Sequence, residues 1–210
     1  MESAFDHEKL EVYQRAKIFL DFRAGVLGGV RKKRSACDHL ERAGESILLN
    51  IAHASASWGT KERANYFAVA NGSALECAAC LDILNIKLHV DDVACHKGKA
   101  LLHEIVNMLI SLRSTAVKRV HETRPDYGTN KAKHYFGHER LIAYQVALEL
   151  VGWIEHVETS SSCSQDVLVK LDKSTTAIVL NIAEGNGRFG AADQIKFLRL
   201  PLNQRHNPLR

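Results

Sequence analysis

Proline is scarce in this chain of 210 residues, with Pro125, Pro201 and Pro208 the full set. With 46% hydrophobic and 25% charged residues, that scarcity excludes a disordered or fibrous chain and fits one or two globular domains. No uninterrupted apolar run approaches the roughly 18 to 20 residues that span a bilayer, so no membrane partner is expected. The first residues, Met1-Glu2-Ser3-Ala4-Phe5-Asp6, lack the basic and apolar regions of a secretory leader, and a cytoplasmic location is the expectation. A net charge of +4 is too small to announce a protein dominated by a basic surface. The five cysteines, Cys37, Cys77, Cys80, Cys95 and Cys163, are odd in number, which argues against a disulfide framework.

Catalytic signatures are missing too. No HExxH occurs among the eleven histidines, no Ser, His and Asp trio stands out, and no paired Glu-x-x-His set offers a metal core to a bundle. The expectation is therefore no enzyme, no catalytic residue, no metal, no cofactor and no small-molecule substrate. Cys77-Ala78-Ala79-Cys80 has half a zinc-site spacing, but it lies inside a regular helical stripe where cysteine packs as a small hydrophobe. His134 and His138 have a four-residue spacing beside Gly137, and the histidines as a set read as surface residues.

What the chain does have is an internal repeat. Phe5, His7, Glu8, Leu10, Tyr13, Gln14 and Ala16 recur 131 positions later as Phe136, His138, Glu139, Leu141, Tyr144, Gln145 and Ala147. The same displacement carries Leu40 to Leu171, the run Ile47, Leu49, Asn50, Ile51, Ala52 to Ile178, Leu180, Asn181, Ile182, Ala183, and Gly59 to Gly190. Two blocks in one register, with no gap between them, indicate two copies of one structural unit. The register runs to Val69 and Leu200 and ends at Pro201.

Helical periodicity fills each copy. Leu10, Tyr13, Ala16 and Leu20 share one face of a first helix, ended by Gly25, Gly28 and Gly29. Cys37, Leu40, Gly44, Ile47, Ile51 and Ala54 mark a second helix, where small Gly44 permits close approach. Thr60 caps a third, which presents Phe67, Ala70, Ala74, Cys77, Leu81, Leu84 and Leu88, and Asp91 or Asp92 caps a fourth with Leu102, Ile105, Leu109 and Leu112. The expected fold is all-α: an up-and-down antiparallel four-helix bundle over 1–121, a linker over 122–135, and an incomplete second copy over 136–210 with a helical hairpin, the start of a third helix and an irregular tail. The hairpin's apolar face packs either on the first bundle or on the hairpin of another chain.

The block Leu10 to Ala16, the run Asn181-Ile182-Ala183-Glu184-Gly185-Asn186-Gly187-Arg188 and the stretch Gly72 to Leu84 resemble the four-helix-bundle family typified by 23S rRNA intervening-sequence proteins. The resemblance covers residues 5–121 as a full unit and 136–200 as a partial one. More distantly, such proteins are similar to the accessory bundle of diversity-generating retroelements, a pentameric barrel that binds nucleic acid and a reverse transcriptase. The first copy departs from the pattern with His53, Ala54 and Ala56 in place of glutamate and two glycines. Glycine at 185 or 187 can take the left-handed conformation that ends a helix. Asn50 and Asn181, among apolar neighbours, are placed to bond a facing helix.

Arg31-Lys32-Lys33-Arg34 is the densest basic run, with Lys61 and Arg63 opening the third helix. Its functional reading is contact with the phosphates of RNA or DNA, and the equivalent positions of the second copy, Ser162 to Gln165, carry no cation. The expected function is a non-enzymatic, oligomeric bundle that binds RNA or DNA through this loop and helix entrance. The alternative is a protein interaction or scaffold module acting through apolar helix faces.

Overall fold

In the computed structural model the described residues are 5–30, 34–57, 59–117, 134–160 and 164–187. They form six α-helices and two short 3₁₀ turns, with no strand among them. A turn over Asp6–Lys9 leads into α1 (Glu11–Gly29), followed by α2 (Ser35–Ala56), α3 (Thr60–Ile86) and α4 (Asp92–Ala116). A second turn, Gly137–Arg140, leads into α5 (Ile142–Ser160) and then α6 (Gln165–Asn186). The two turns, and likewise α1 and α5, begin and end at the same 131-residue displacement that the sequence shows.

Helix ends follow local chemistry. Asp91 caps α4, its Oδ1 accepting from the amide of Ala94 at 2.7 Å, while Asp92 Oδ1 accepts from the side chain of Asn85 at 2.9 Å. Thr60 is the first residue of α3 rather than its cap, a place held by Gly59. Helix α1 continues through Gly25 and Gly28 to Gly29 and ends at extended Val30, because glycine inside a helix weakens it without breaking it. Gly187 ends α6 with φ of −83°, so the left-handed expectation is not met. The glycine is needed there for space: a Cβ would run into Leu75 Cδ1 of α3.

Helices α1, α2, α3 and α4 close a ring in which each packs on its sequence neighbours and α1 meets α4. Short connections make such neighbours antiparallel. The hairpin of α5 and α6 docks on this bundle, chiefly through α3, with α6 also touching α2. That decides between the two destinations left open for its apolar face. Covered on both sides, α3 buries Phe67, Leu75, Leu81, Ile83 and Leu84 with Ala70, Ala74, Cys77, Ala78 and Cys80. It is also long and apolar enough by composition to cross a membrane, although no unbroken apolar run marks it in the sequence, yet 78% of its most apolar window is buried inside the protein. Such a helix, apolar all round, belongs to a core. The outer face of α5 stays open at Ile142, Val146 and Trp153.

Most of the 122–135 segment and all residues after 187, including the expected start of a third helix and the tail, lie outside the described residues. Tyr135, taken with that linker from sequence, packs at the docked surface described below.

Candidate functional site

The two copies of the repeat build the same local object. In the first, Phe5 and His7 stack with ring centroids 5.6 Å apart, His7 meets Tyr13 edge-on at 4.7 Å, and Gln14 Nε2 donates to the carbonyl of Glu8 at 2.6 Å. In the second, Phe136 and His138 stack at 5.7 Å, His138 meets Tyr144 edge-on at 4.7 Å, and Gln145 Nε2 donates to the carbonyl of Glu139 at 3.1 Å. The 3₁₀ turn makes this geometry: it points histidine and the preceding phenylalanine back over the first turn of the helix, where the tyrosine stands. The repeat residues are thus one motif, a compact aromatic knob with a glutamate at its base.

Their surroundings differ. Phe5 is 63% exposed, whereas Phe136 is 2% exposed. The second knob sits in a receptor between α3 and α4, where four ionisable groups converge. Lys99 Nζ of α4 lies 2.7 Å from Asp82 Oδ1 of α3 and 2.7 Å from Glu139 Oε1 of the knob. The Tyr144 hydroxyl donates to Asp82 Oδ2 at 2.8 Å, and the Tyr135 amide donates to Glu139 Oε2 at 2.7 Å. Burial alone would lower the Lys99 pKa, but Asp82 and Glu139 outweigh it and hold the ammonium above its ordinary value. Burial, reinforced by the Asp82 charge, pushes the Tyr144 phenol well up and the Cys95 thiol up to about 12. His138 is fully buried, its two ring nitrogens without hydrogen-bond partners among the described residues, and burial followed by repulsion from Lys99 lowers its pKa to about 3. The reading of the histidines as surface groups fails at His138, because docking of the hairpin covers it.

Asp82, His138 and Glu139 each offer one ligand atom within 4.8 Å of the others. The geometry of a cation site is present, but the Lys99 ammonium occupies the position between the carboxylates and supplies the positive charge. A metal ion would have to displace a paired ammonium. The cluster is a lock between hairpin and bundle, with one ammonium bridging a carboxylate of each.

Two further ties hold the hairpin. Asp172 of α6 takes the Lys87 ammonium and the Ser35 amide, the latter at 3.0 Å, and Arg34 pairs with Glu155 at 3.2 Å and with Glu158. Burial opposes the Arg34 charge, but the Glu158 hydrogen bond and the Glu155 charge raise its pKa. Arg34 is therefore committed to α5 and not presented to an outside phosphate. Arg31, Lys32 and Lys33 lie outside the described residues. Lys61 is exposed at the opposite end of α3, about 40 Å from the Arg34 end at 1.5 Å per helical residue. Arg63, half-buried, holds its guanidinium 5.9 Å from the Phe67 ring centroid. Among the described cations, Arg34 stands apart from Lys61 and Arg63.

Asn50 donates to the Ser46 carbonyl at 2.8 Å within α2, not to a facing helix, and the link to α3 is the contact of Ser46 Oγ with Ser73 Oγ at 2.8 Å. Asn181 is half-buried on α6. Glu184 and Gly185 lie in the last turn of α6, where the Glu184 carboxylate lies over Gly72 of α3, and the Asn71 side chain donates to the Gly187 carbonyl at 3.4 Å. These motif residues seat the end of α6 on α3. Cys77 and Cys80 are buried free thiols of the core, held well above the ordinary thiol range by burial.

Residues 8–111 match the family model of the 23S rRNA-intervening sequence protein. Over these residues the chain belongs to that family. No curated protein and no solved structure matches it. The part that matches the family carries the receptor residues Asp82 and Lys99 and, of the first knob, Glu8, Tyr13 and Gln14, while Phe5, His7 and the second knob lie outside it. Sequence reasoning found both knobs as repeats and missed the receptor. The available signal was Asp82 amid the apolar run of α3, a charge that must find a partner once that helix is buried.

Proposed function

We propose that this chain is a non-enzymatic protein-docking bundle. The observation that supports this reading is the knob in its receptor: an aromatic and acidic element of one helical unit held by an aspartate and a lysine on another. Interfaces use this chemistry, a buried aromatic anchor with a satisfied charge pair at its edge. The Lys99 ammonium is shared between the Asp82 and Glu139 carboxylates inside the protein, which suits a joint better than a catalytic centre.

Nucleic-acid binding is the second reading, favoured by the run Arg31-Lys32-Lys33 with exposed Lys61. Light-scattering chromatography of the purified protein, with absorbance at 260 and 280 nm on the same peak, separates the two. The docking reading expects a protein-only peak whose mass does not change between low and high salt. Co-eluting nucleic acid stripped by salt would overturn it in favour of the second, since phosphate contacts lose affinity as a steep power of salt concentration. In that event, changing Arg31, Lys32 and Lys33 to glutamine should weaken binding and flatten the salt dependence.

A further inference from the structure

The chain has two knobs but, among the described residues, one receptor. The receptor between α3 and α4 is filled in cis by the second knob, tethered through the segment between α4 and α5, and such tethering gives the cis partner a large effective-concentration advantage over any free competitor. The first knob has the same ring geometry and the same glutamine-to-carbonyl hydrogen bond, yet its Phe5 is 63% exposed and His7 and Tyr13 are only half-buried. The surface around it repeats the docking pattern as well. Glu41 of α2, exposed, stands 131 residues before Asp172, the carboxylate that takes Lys87 in the docked copy, and half-buried Leu20 stands before Val151, while Ala16, the counterpart of Ala147, is already buried in the first bundle.

We infer that the first knob, residues 5–13, is a docking element for the third and fourth helices of another chain of this same architecture, one whose receptor is not covered by a hairpin of its own. The partner's chemistry follows from the docked copy. It must present a carboxylate on its third helix to accept the Tyr13 hydroxyl, an ammonium on its fourth to meet Glu8, and a lysine at the end of its third helix to meet Glu41. A surface of this kind on one molecule and its complement on another give a head-to-tail contact, and a chain whose receptor is filled in cis ends such a series. This inference rests on the reading of the chain as a docking module and names its partner.

The test uses the full chain. The triple variant Glu139→Gln, Tyr144→Ala, Asp172→Ala weakens cis docking and uncovers the receptor while leaving the first knob intact. The expected result is concentration-dependent association of this variant by light scattering, with helix content retained in circular dichroism. Adding Phe5→Ala and Tyr13→Ala to the same chain should return it to the monomer, as should adding Lys99→Glu. Wild-type protein mixed with the triple variant should cut its assemblies to short ones, because wild type supplies a knob and no open receptor. The inference is overturned if the triple variant stays monomeric, or if it associates equally with and without Phe5→Ala and Tyr13→Ala, the behaviour of a misfolded chain. Either failure leaves the docking reading to be judged by the salt-indifferent, protein-only peak of the wild type.

Discussion

His138 is neutral in the fold because protonation would place a charge in a site that, among the described residues, offers its ring no hydrogen bond and sets it near Lys99. The unfolded chain has no such restriction and takes up the proton near pH 6.5. The folded pKa is lowered, so the fold keeps its full advantage above about pH 6.5 and loses it as pH falls from there toward about 3. Thermal melts from pH 7 to 4 should show stability falling by up to roughly 1.4 kcal/mol per pH unit from this one group. A His138→Phe variant, which keeps the ring stack and removes two unpaired nitrogens, should show a shallower decline; an identical slope would remove His138 as the cause. The opposite kind of residue effect stands at Leu88, 91% exposed with φ of 57°, where the amides of Leu88 and His89 bond back to Asn85 and Leu84 to end α3. A side chain in that left-handed conformation costs about 1 kcal/mol. Leu88→Gly should therefore stabilise by about 0.5 to 1 kcal/mol in denaturant titration. Neither effect is legible at the residue itself: His138 looks like any histidine beside a glycine, and Leu88 like one more step of an apolar stripe.

At the scale of the helix, periodicity reads correctly where one face is buried and falls short where two are. The stripes of α2 and α4 correspond to their buried residues, Leu40, Ile47 and Ile51 on one, Leu102, Ile105 and Leu109 on the other. Helix α3 shows a stripe as well, but the side away from α1, α2 and α4 is buried too, under a hairpin whose sequence begins about fifty residues further on. Close approach is what the glycines serve here. A Cβ on Gly98 of α4 would stand 2.5 Å from Phe22 of α1 and 2.7 Å from Leu81 of α3, at a three-helix junction with no slack. Gly98→Ala should destabilise by roughly 1 to 3 kcal/mol through overpacking, despite alanine's better helix propensity. A melt equal to or above wild type would show that Phe22 gives way.

Across the whole molecule, the hairpin is held by charge pairs and hydrogen bonds that join residues 40 to 137 positions apart: Lys99 with Glu139, Lys87 with Asp172 and Arg34 with Glu155 and Glu158 as charge pairs, Asp82 with Tyr144 and Ser35 with Asp172 as hydrogen bonds. Buried pairs contribute little net stability when intact but are costly to break, because the remaining charge is stranded. Lys87 is 4% exposed as a residue. Asp172→Ala should cost about 3 to 5 kcal/mol and should loosen α5 and α6 first, seen as faster amide exchange there than in α1 through α4. Uniform exchange over all six helices would mean that hairpin and bundle unfold as one unit.

Helix content, a cap for α4 at Asp91 or Asp92, the 131-residue repeat and the resemblance to the 23S rRNA-intervening sequence family were all legible in the sequence alone, because propensity, capping and amphipathic period act within a few turns of chain. The tertiary structure decided which of two knobs with the same ring geometry is buried, that Arg34 serves an internal pair instead of an outside phosphate, and that Lys99 closes a cluster with Asp82 and Glu139. Those outcomes depend on which surfaces meet after the helices form, and residues of one type and spacing carry no mark of the partner that distance along the chain will bring to them.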